Sequence, residues 1–262
     1  MSELATDLRA FMKVRASLDG SDAVQWFAGT VHAWFPTEHR QLFRIEGYNV
    51  ARAVEADGGY DLLSREVAFY LDPTSNQPLE RWPNPFTERD VEVLHIWNDP
   101  VNFRFRLEGP YGAWYVPVTE VGEVVVFTSD VFLSYPSPLP RSRYPDNSQD
   151  DTYHAAELFQ FFARRADIDD PALASAPVQT SWTRLGPWLP WMGMGDRPGQ
   201  LVYHCQGGEL AGGFAALPTW LRERVEAERP EFTTAPSEFS APNETSWTYF
   251  AKSASPAPEV AG

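Results

Sequence analysis

Cysteine is almost absent from this 262-residue chain, with Cys205 the single one. A disulfide framework and a cysteine-based zinc site within one chain are thereby excluded. In the run Tyr203-His204-Cys205 it reads as a small buried hydrophobe on a strand. Positive charge is scarce too: 21 Lys and Arg face 36 Asp and Glu, a formal net charge of −15. Such a surface repels phosphate backbones and anionic lipid, so neither nucleic acid nor membrane is expected as a partner. No apolar run is long enough to span a bilayer. The acidic start, Met1-Ser2-Glu3-Leu4, lacks the basic-then-apolar layout of a secretion signal, and the expected location is cytoplasmic. There is no glycine-rich phosphate loop and no βαβ alternation, which argues against a doubly wound nucleotide-binding fold. The Gly-x-Ser-x-Gly nucleophile elbow is missing. His32, His39, His95, His154 and His204 fall at no paired ligand spacing, so no metal and no cofactor is expected.

Aromatic residues are what the chain has in quantity, with 10 Trp, 10 Tyr and 17 Phe. Residues 3–13 place Leu4, Leu8, Phe11 and Met12 at helical spacing, as in a short docking helix. Strand texture then dominates: residues 24–35, 42–47, 48–54, 60–71, 91–97, 101–107, 121–135, 178–186 and 201–205 are rich in β-branched and aromatic side chains. Gly58-Gly59 marks a hairpin between two of these runs. Residues 136–151, rich in Pro, Ser and charge, read as a long loop. Thr152 is expected to cap a helix carrying Glu157, Leu158, Phe159, Phe161 and Phe162, and residues 217–228 a second one with Pro218 near its start. Residues 243–250 fit a closing strand. The expected fold is mainly β: one antiparallel barrel of the calycin or lipocalin kind with a few peripheral helices, spanning residues 1–250, and a disordered tail over 251–262.

Three segments are candidates for chemistry. In residues 79–101, Pro85 and Pro100 force extended or turn geometry at Asn84 and Asp99; their side chains either sit at a barrel mouth or simply form Asx-turns closing hairpins. His95 alternates with Val91 and Val93 on one face, expected to be the interior, where histidine is the side chain best suited to proton transfer near neutral pH. In residues 181–196, Trp182, Trp188, Trp191, Met192 and Met194 interleave with Pro and Gly. So apolar a loop must either line a pocket or plug the core. Trp247 joins the same lining from residues 243–250.

The stretches Gly59-Tyr60 through Arg65-Glu66, Trp82-Pro83-Asn84-Pro85, His95 with Asn98 and Pro100-Val101, Ala156-Glu157-Leu158-Phe159, Ser181 through Gly195 and Pro242 through Phe250 resemble the DUF1838 family, bacterial proteins of unknown function. The resemblance runs through nearly the whole chain but implies no catalytic set. The expectation drawn from the residues themselves is a cofactor-independent enzyme acting on a small aromatic or apolar molecule by acid–base proton transfer. A carbon–carbon lyase of the retro-aldol type, or an isomerase, acting on phenolic compounds fits best. His95 would be general base or acid, Glu157 or Glu66 its partner, and Tyr153 or Arg65 the holder of a developing oxyanion. Trp82, Asn84, Trp97, Asn98, Trp188, Trp191, Met194 and Trp247 would bind substrate. A carrier for an apolar ligand, without chemistry, is the alternative, and a homodimer is left open.

Overall fold

The computed structural model describes residues 2–110 and 112–254. A 3-10 turn over Glu3–Thr6 leads into helix α1 (Leu8–Arg15), whose Asp7 cap accepts the Ala10 N–H. Three long strands follow, β1 (Ala23–Trp34), β2 (His39–Ala56) and β3 (Gly59–Leu71), the last two joined through Gly58, which has a φ of 69° that favours glycine. Short elements come next: β4 (Arg81–Asn84) paired with β5 (Arg89–Glu92), then β6 (Ile96–Asn98), β7 (Phe103–Arg106), and β8 (Glu108–Gly109) paired with β9 (Gly112–Ala113). The second half supplies β10 (Val118–Val121), β11 (Val124–Pro136), β12 (Thr152–Arg164), β13 (Val178–Gly186) and β14 (Gln200–Glu209). Helix α2 (Arg165–Asp169) follows β12, and α3 (Thr219–Glu228) and α4 (Ser246–Ala251) come last. No helix among the described residues is long and apolar enough to cross a membrane.

Ten strands form one antiparallel sheet in the order β10-β11-β12-β13-β14-β1-β2-β3-β6, with β7 also on β3. Among the described residues no ladder joins β10 to β6 or β7, so the closed barrel expected from the strand texture is replaced by an open sheet. The sheet is nonetheless rolled. Phe11 of α1 touches Phe105 on β7 at 5.7 Å and Phe127 on β11 at 5.8 Å, so the two ends of the sheet meet on one helix. Glycines inside the strands permit the tight curl. A Cβ on Gly29 would lie 2.2 Å from the His204 carbonyl oxygen, and one on Gly47 2.2 Å from that of Val67.

Two further expectations are corrected. Residues 152–164 are strand β12, not a helix, because Tyr153, Ala155, Phe161 and Ala163 are buried at period two. Residues 246–251 are helix α4 rather than a closing strand: Thr245 and Thr248 form a reciprocal capping box. Of the expected tail, residues 251–254 end α4 and its turn, with Ala254 N–H bonded to the Phe250 carbonyl; residues 255–262 lie outside the described residues.

Apolar packing falls into three clusters. On the outer face, Tyr48, Val50, Val67 and Phe69 pack under Leu221 and Val225 of α3. Inside the roll there are two. One end is filled by α1 with Ala51, Leu62, Phe127, Phe161 and Val178. The other is filled by Phe43, Tyr70, Trp82, Trp188, Trp191 and Met194. Between them, Gln25, Asn49, Ser64, Glu66, Asn98 and Glu157 sit on inward-facing positions of β1, β2, β3, β6 and β12, beside Phe27, Phe159 and Trp182. The roll is therefore stoppered with hydrophobic side chains at both ends and carries polar side chains among rings at its waist.

Candidate functional site

Alternation on β12 sends Tyr153, Glu157 and Phe159 inward, and on β13 it does the same for Trp182 and Arg184. Arg184 is the hub. Its Nη2 donates to the Tyr153 hydroxyl at 2.7 Å, and its Nε lies 3.4 Å from Glu157 Oε1. The guanidinium rests over the rings of Tyr203, 5.1 Å away, and Trp247, 5.7 Å away. Gly186 makes the place for it, since a Cβ there would come within 2.9 Å of both Nη atoms. Trp247, carried by α4, also packs edge-on against Tyr153 at 4.8 Å. Close by, the Tyr70 and Tyr203 hydroxyls meet at 3.2 Å, and burial pushes the Tyr203 phenol up to about 12.

Glu66 faces this cluster from β3. The Asn98 amide, directly opposite on β6, donates to its Oε2 at 2.8 Å. In a flat sheet five strand spacings of ~4.8 Å would hold β3 and β12 about 24 Å apart. In the roll Glu66 and Glu157 are close enough to repel. Burial first, and the Glu157 carboxylate second, push the Glu66 carboxyl up to about 7, against the Asn98 hydrogen bond and the Arg184 charge. Glu157 keeps 27% of its side-chain surface reachable by solvent, and Glu66 is likewise only half-buried, so neither carboxyl is fully enclosed by packed atoms. Beside the cluster, Tyr153 and Trp247 reach a groove of about 540 Å3 that Phe132, His154, Pro187 and Gln200 also line.

Of the residues expected to act together, the structure gathers Glu66, Glu157, Tyr153, Asn98 and Trp247 around Arg184. It places three others elsewhere. His95 is buried at the edge of β3, where Nδ1 accepts the Tyr70 backbone N–H at 3.2 Å and the ring packs on Phe69 at 4.8 Å. No carboxylate forms an ion pair with it among the described residues. Burial, helped by the Arg224 charge, lowers its pKa to about 4, so it stands neutral at ordinary pH. Arg65 points to the outer face because it alternates with Glu66; it pairs with Asp99 at 2.9 Å and donates to the Glu231 and Thr234 carbonyls. Trp97 is on that same outer face, against Phe232 at 5.2 Å.

The remaining candidates build the stopper at one end. Asn84 Nδ2 donates to the Met192 carbonyl at 2.7 Å while its Oδ1 accepts the Phe86 N–H, which makes it an Asx-turn. Trp82 meets Trp191 at 6.1 Å, Trp188 donates to the Arg197 carbonyl, and Met194 is fully buried. Residues 188–194 are thus core, and Trp191, 5.6 Å from Tyr70, borders the waist. The sequence reading missed Arg184, Tyr70 and Tyr203. The alternation Trp182-Thr183-Arg184 carried a signal for the first, as it puts a cation on a tryptophan-bearing face. Among the described residues no three or more His, Cys, Asp or Glu side chains converge as a metal-holding group.

No curated protein matches the chain. A family model described as "Protein of unknown function (DUF1838)" matches residues 20–254, nearly its whole length, and the chain belongs to that family.

Proposed function

We propose that the protein is an enzyme that moves protons on a small aromatic or apolar molecule held at the waist of the roll, with Glu66 as the general acid–base. The observation that carries this reading is the pair of unlike carboxyls: Glu66, raised to about 7 by its burial, faces Glu157, which pairs with Arg184. Two carboxyl groups whose environments separate them are the usual means by which one site supplies an acid and a base. A group titrating near 7 takes a proton in one step and returns it in the next at ordinary pH. The Tyr153 hydroxyl, polarised by the Arg184 hydrogen bond, is free to donate its own proton to oxygen charge that develops on the substrate.

Retro-aldol cleavage of a carbon–carbon bond and isomerisation of a phenolic compound both fit such a set. Each needs a base to remove a proton, a donor for the developing oxyanion, and an acid to protonate carbon. Phe27, Phe159 and Trp182, packed together at the same level, supply apolar walls. The test is a screen of phenolic dimers and related aromatics without added cofactor, comparing wild type with Glu66→Gln. Turnover is expected to fall ~10²-fold or more in the variant while ligand affinity stays nearly unchanged. Binding without turnover by the wild type would favour a carrier, and turnover that survives in Glu66→Gln would remove Glu66 from the mechanism.

A further inference from the structure

Among the described residues, Arg15 is a cation with no counter-charge. It is the last residue of α1, and its guanidinium lies 4.8 Å over the ring of Phe161, on the inner face of the roll. Among the described residues it forms no ion pair and donates no side-chain hydrogen bond. Its neighbour on the same helix shows what a purely structural cation does here: the Lys13 ammonium donates to the carbonyls of Asp167, Ile168 and Asp170 at the end of α2. Nor is Arg15 needed for the exposed carbonyls of α1, because Gln25 Nε2 already donates to those of Val14 and Arg15. The guanidinium is half-buried and its donors are not spent on other side chains, so they stand available to a planar anion.

From Arg15 an aromatic column runs towards the carboxylates. Phe161 stacks on Phe159 at 5.9 Å with the rings 8° from parallel, and Phe159 stacks on Trp182 at 6.1 Å and 10°. Glu157 is the next inward residue on β12. Four residues of strand separate the Phe161 and Glu157 levels, about 13 Å. The waist is therefore bounded by a free cation at one side, acids at the other, and ring faces between.

We propose that Arg15 is an anion seat, and that the ligand of the waist is an aromatic carboxylate whose acid group pairs with Arg15 while its rings lie along Phe159 towards Glu66 and Glu157. This rests on the reading of the waist as a binding chamber and adds the chemical class of the occupant. A carboxylate suits the guanidinium fork, which takes it through two parallel hydrogen bonds. It also explains the polarity of the column, since the same group at the other end would face two acids.

Biphenyl-4-carboxylate and its neutral carboxamide, matched in length and shape, are titrated against the full chain by tryptophan fluorescence. Wild type is expected to bind the acid at least ~10-fold more tightly than the amide. Arg15→Met, which keeps the apolar stem, should bind both equally, and Arg15→Lys should recover part of the preference. The wild-type comparison stands even if a variant folds poorly. Equal affinity of wild type for acid and amide, failure to bind either, or a preference that persists in Arg15→Met each overturns the proposal. In Glu66→Gln the preference should remain, so a chamber that selects acids without turning anything over would sink the enzymatic reading alone.

Discussion

Glu66, half-buried, and His95, buried, are titratable side chains that pull the pH dependence of stability in opposite directions. Glu66 titrates near 7 in the fold and near 4.5 when exposed. Between those values the unfolded chain has released its proton while the folded chain still holds one, so stability falls as pH rises. His95 titrates near 4 in the fold and near 6.5 unfolded, so the unfolded chain holds the extra proton and stability falls as pH drops through that range. Replacing Glu66 by Gln removes the first contribution alone. The variant is expected to be more stable than wild type at pH 8, by up to about 3 kcal/mol, with the difference shrinking to nothing near pH 4. Thermal melts of the two proteins across that range check it; a variant less stable than wild type at pH 8 would mean that the Asn98 hydrogen bond outweighs the cost of the charge.

At the scale of elements, α1 is the piece on which the roll depends. Phe11 sits between Phe105 and Phe127, from opposite ends of the sheet, and is also 6.0 Å from Phe161 and 5.3 Å from Trp114. Phe11→Ala should cost about 3–5 kcal/mol in urea denaturation, the upper range for a buried ring, since among the described residues no ladder ties β7 directly to β11 across it. A loss under about 1 kcal/mol would show that the sheet ends stay together without the helix. Most of these elements were legible beforehand. The β1 to β3 runs and the Gly58-Gly59 turn follow from β-branched residues and punctuation, and α3 from Pro218 before a polar run. Element β12 was not, because Leu158, Phe159, Phe161 and Phe162 satisfy a helical spacing as well as the strand period that tertiary pairing selected. The site was legible in part for the same reason. Glu66 was readable in a strand run, Asn98 just after one and Trp247 in an expected strand, whereas Glu157 and Tyr153 were singled out in a segment that reads as a helix. Which face His95 and Arg65 take depends on strand register and on α3, neither of which a single strand records.

Across the whole molecule, the sheet is continuous from β10 to β6 through backbone hydrogen bonds, yet among the described residues its two ends meet through side chains, with Phe11 of α1 between Phe105 and Phe127, and not through a ladder. The two kinds of closure answer to temperature differently. Apolar contact loses driving force on cooling, whereas the ladders of β1, β2 and β14 do not share that dependence to the same degree. The junction at α1 should therefore be a cold-sensitive seam. Native-state hydrogen exchange at 25 °C and at 5 °C is expected to show protection of β7 and β10 amides dropping relative to those of β1 and β2; an unchanged ratio would mean the seam opens only with the rest of the sheet. A roll that loosens along one line gives its interior a doorway whose opening is a local event. Exchange of whatever occupies the waist would then slow or quicken with the seam, while the fold as a whole stays intact.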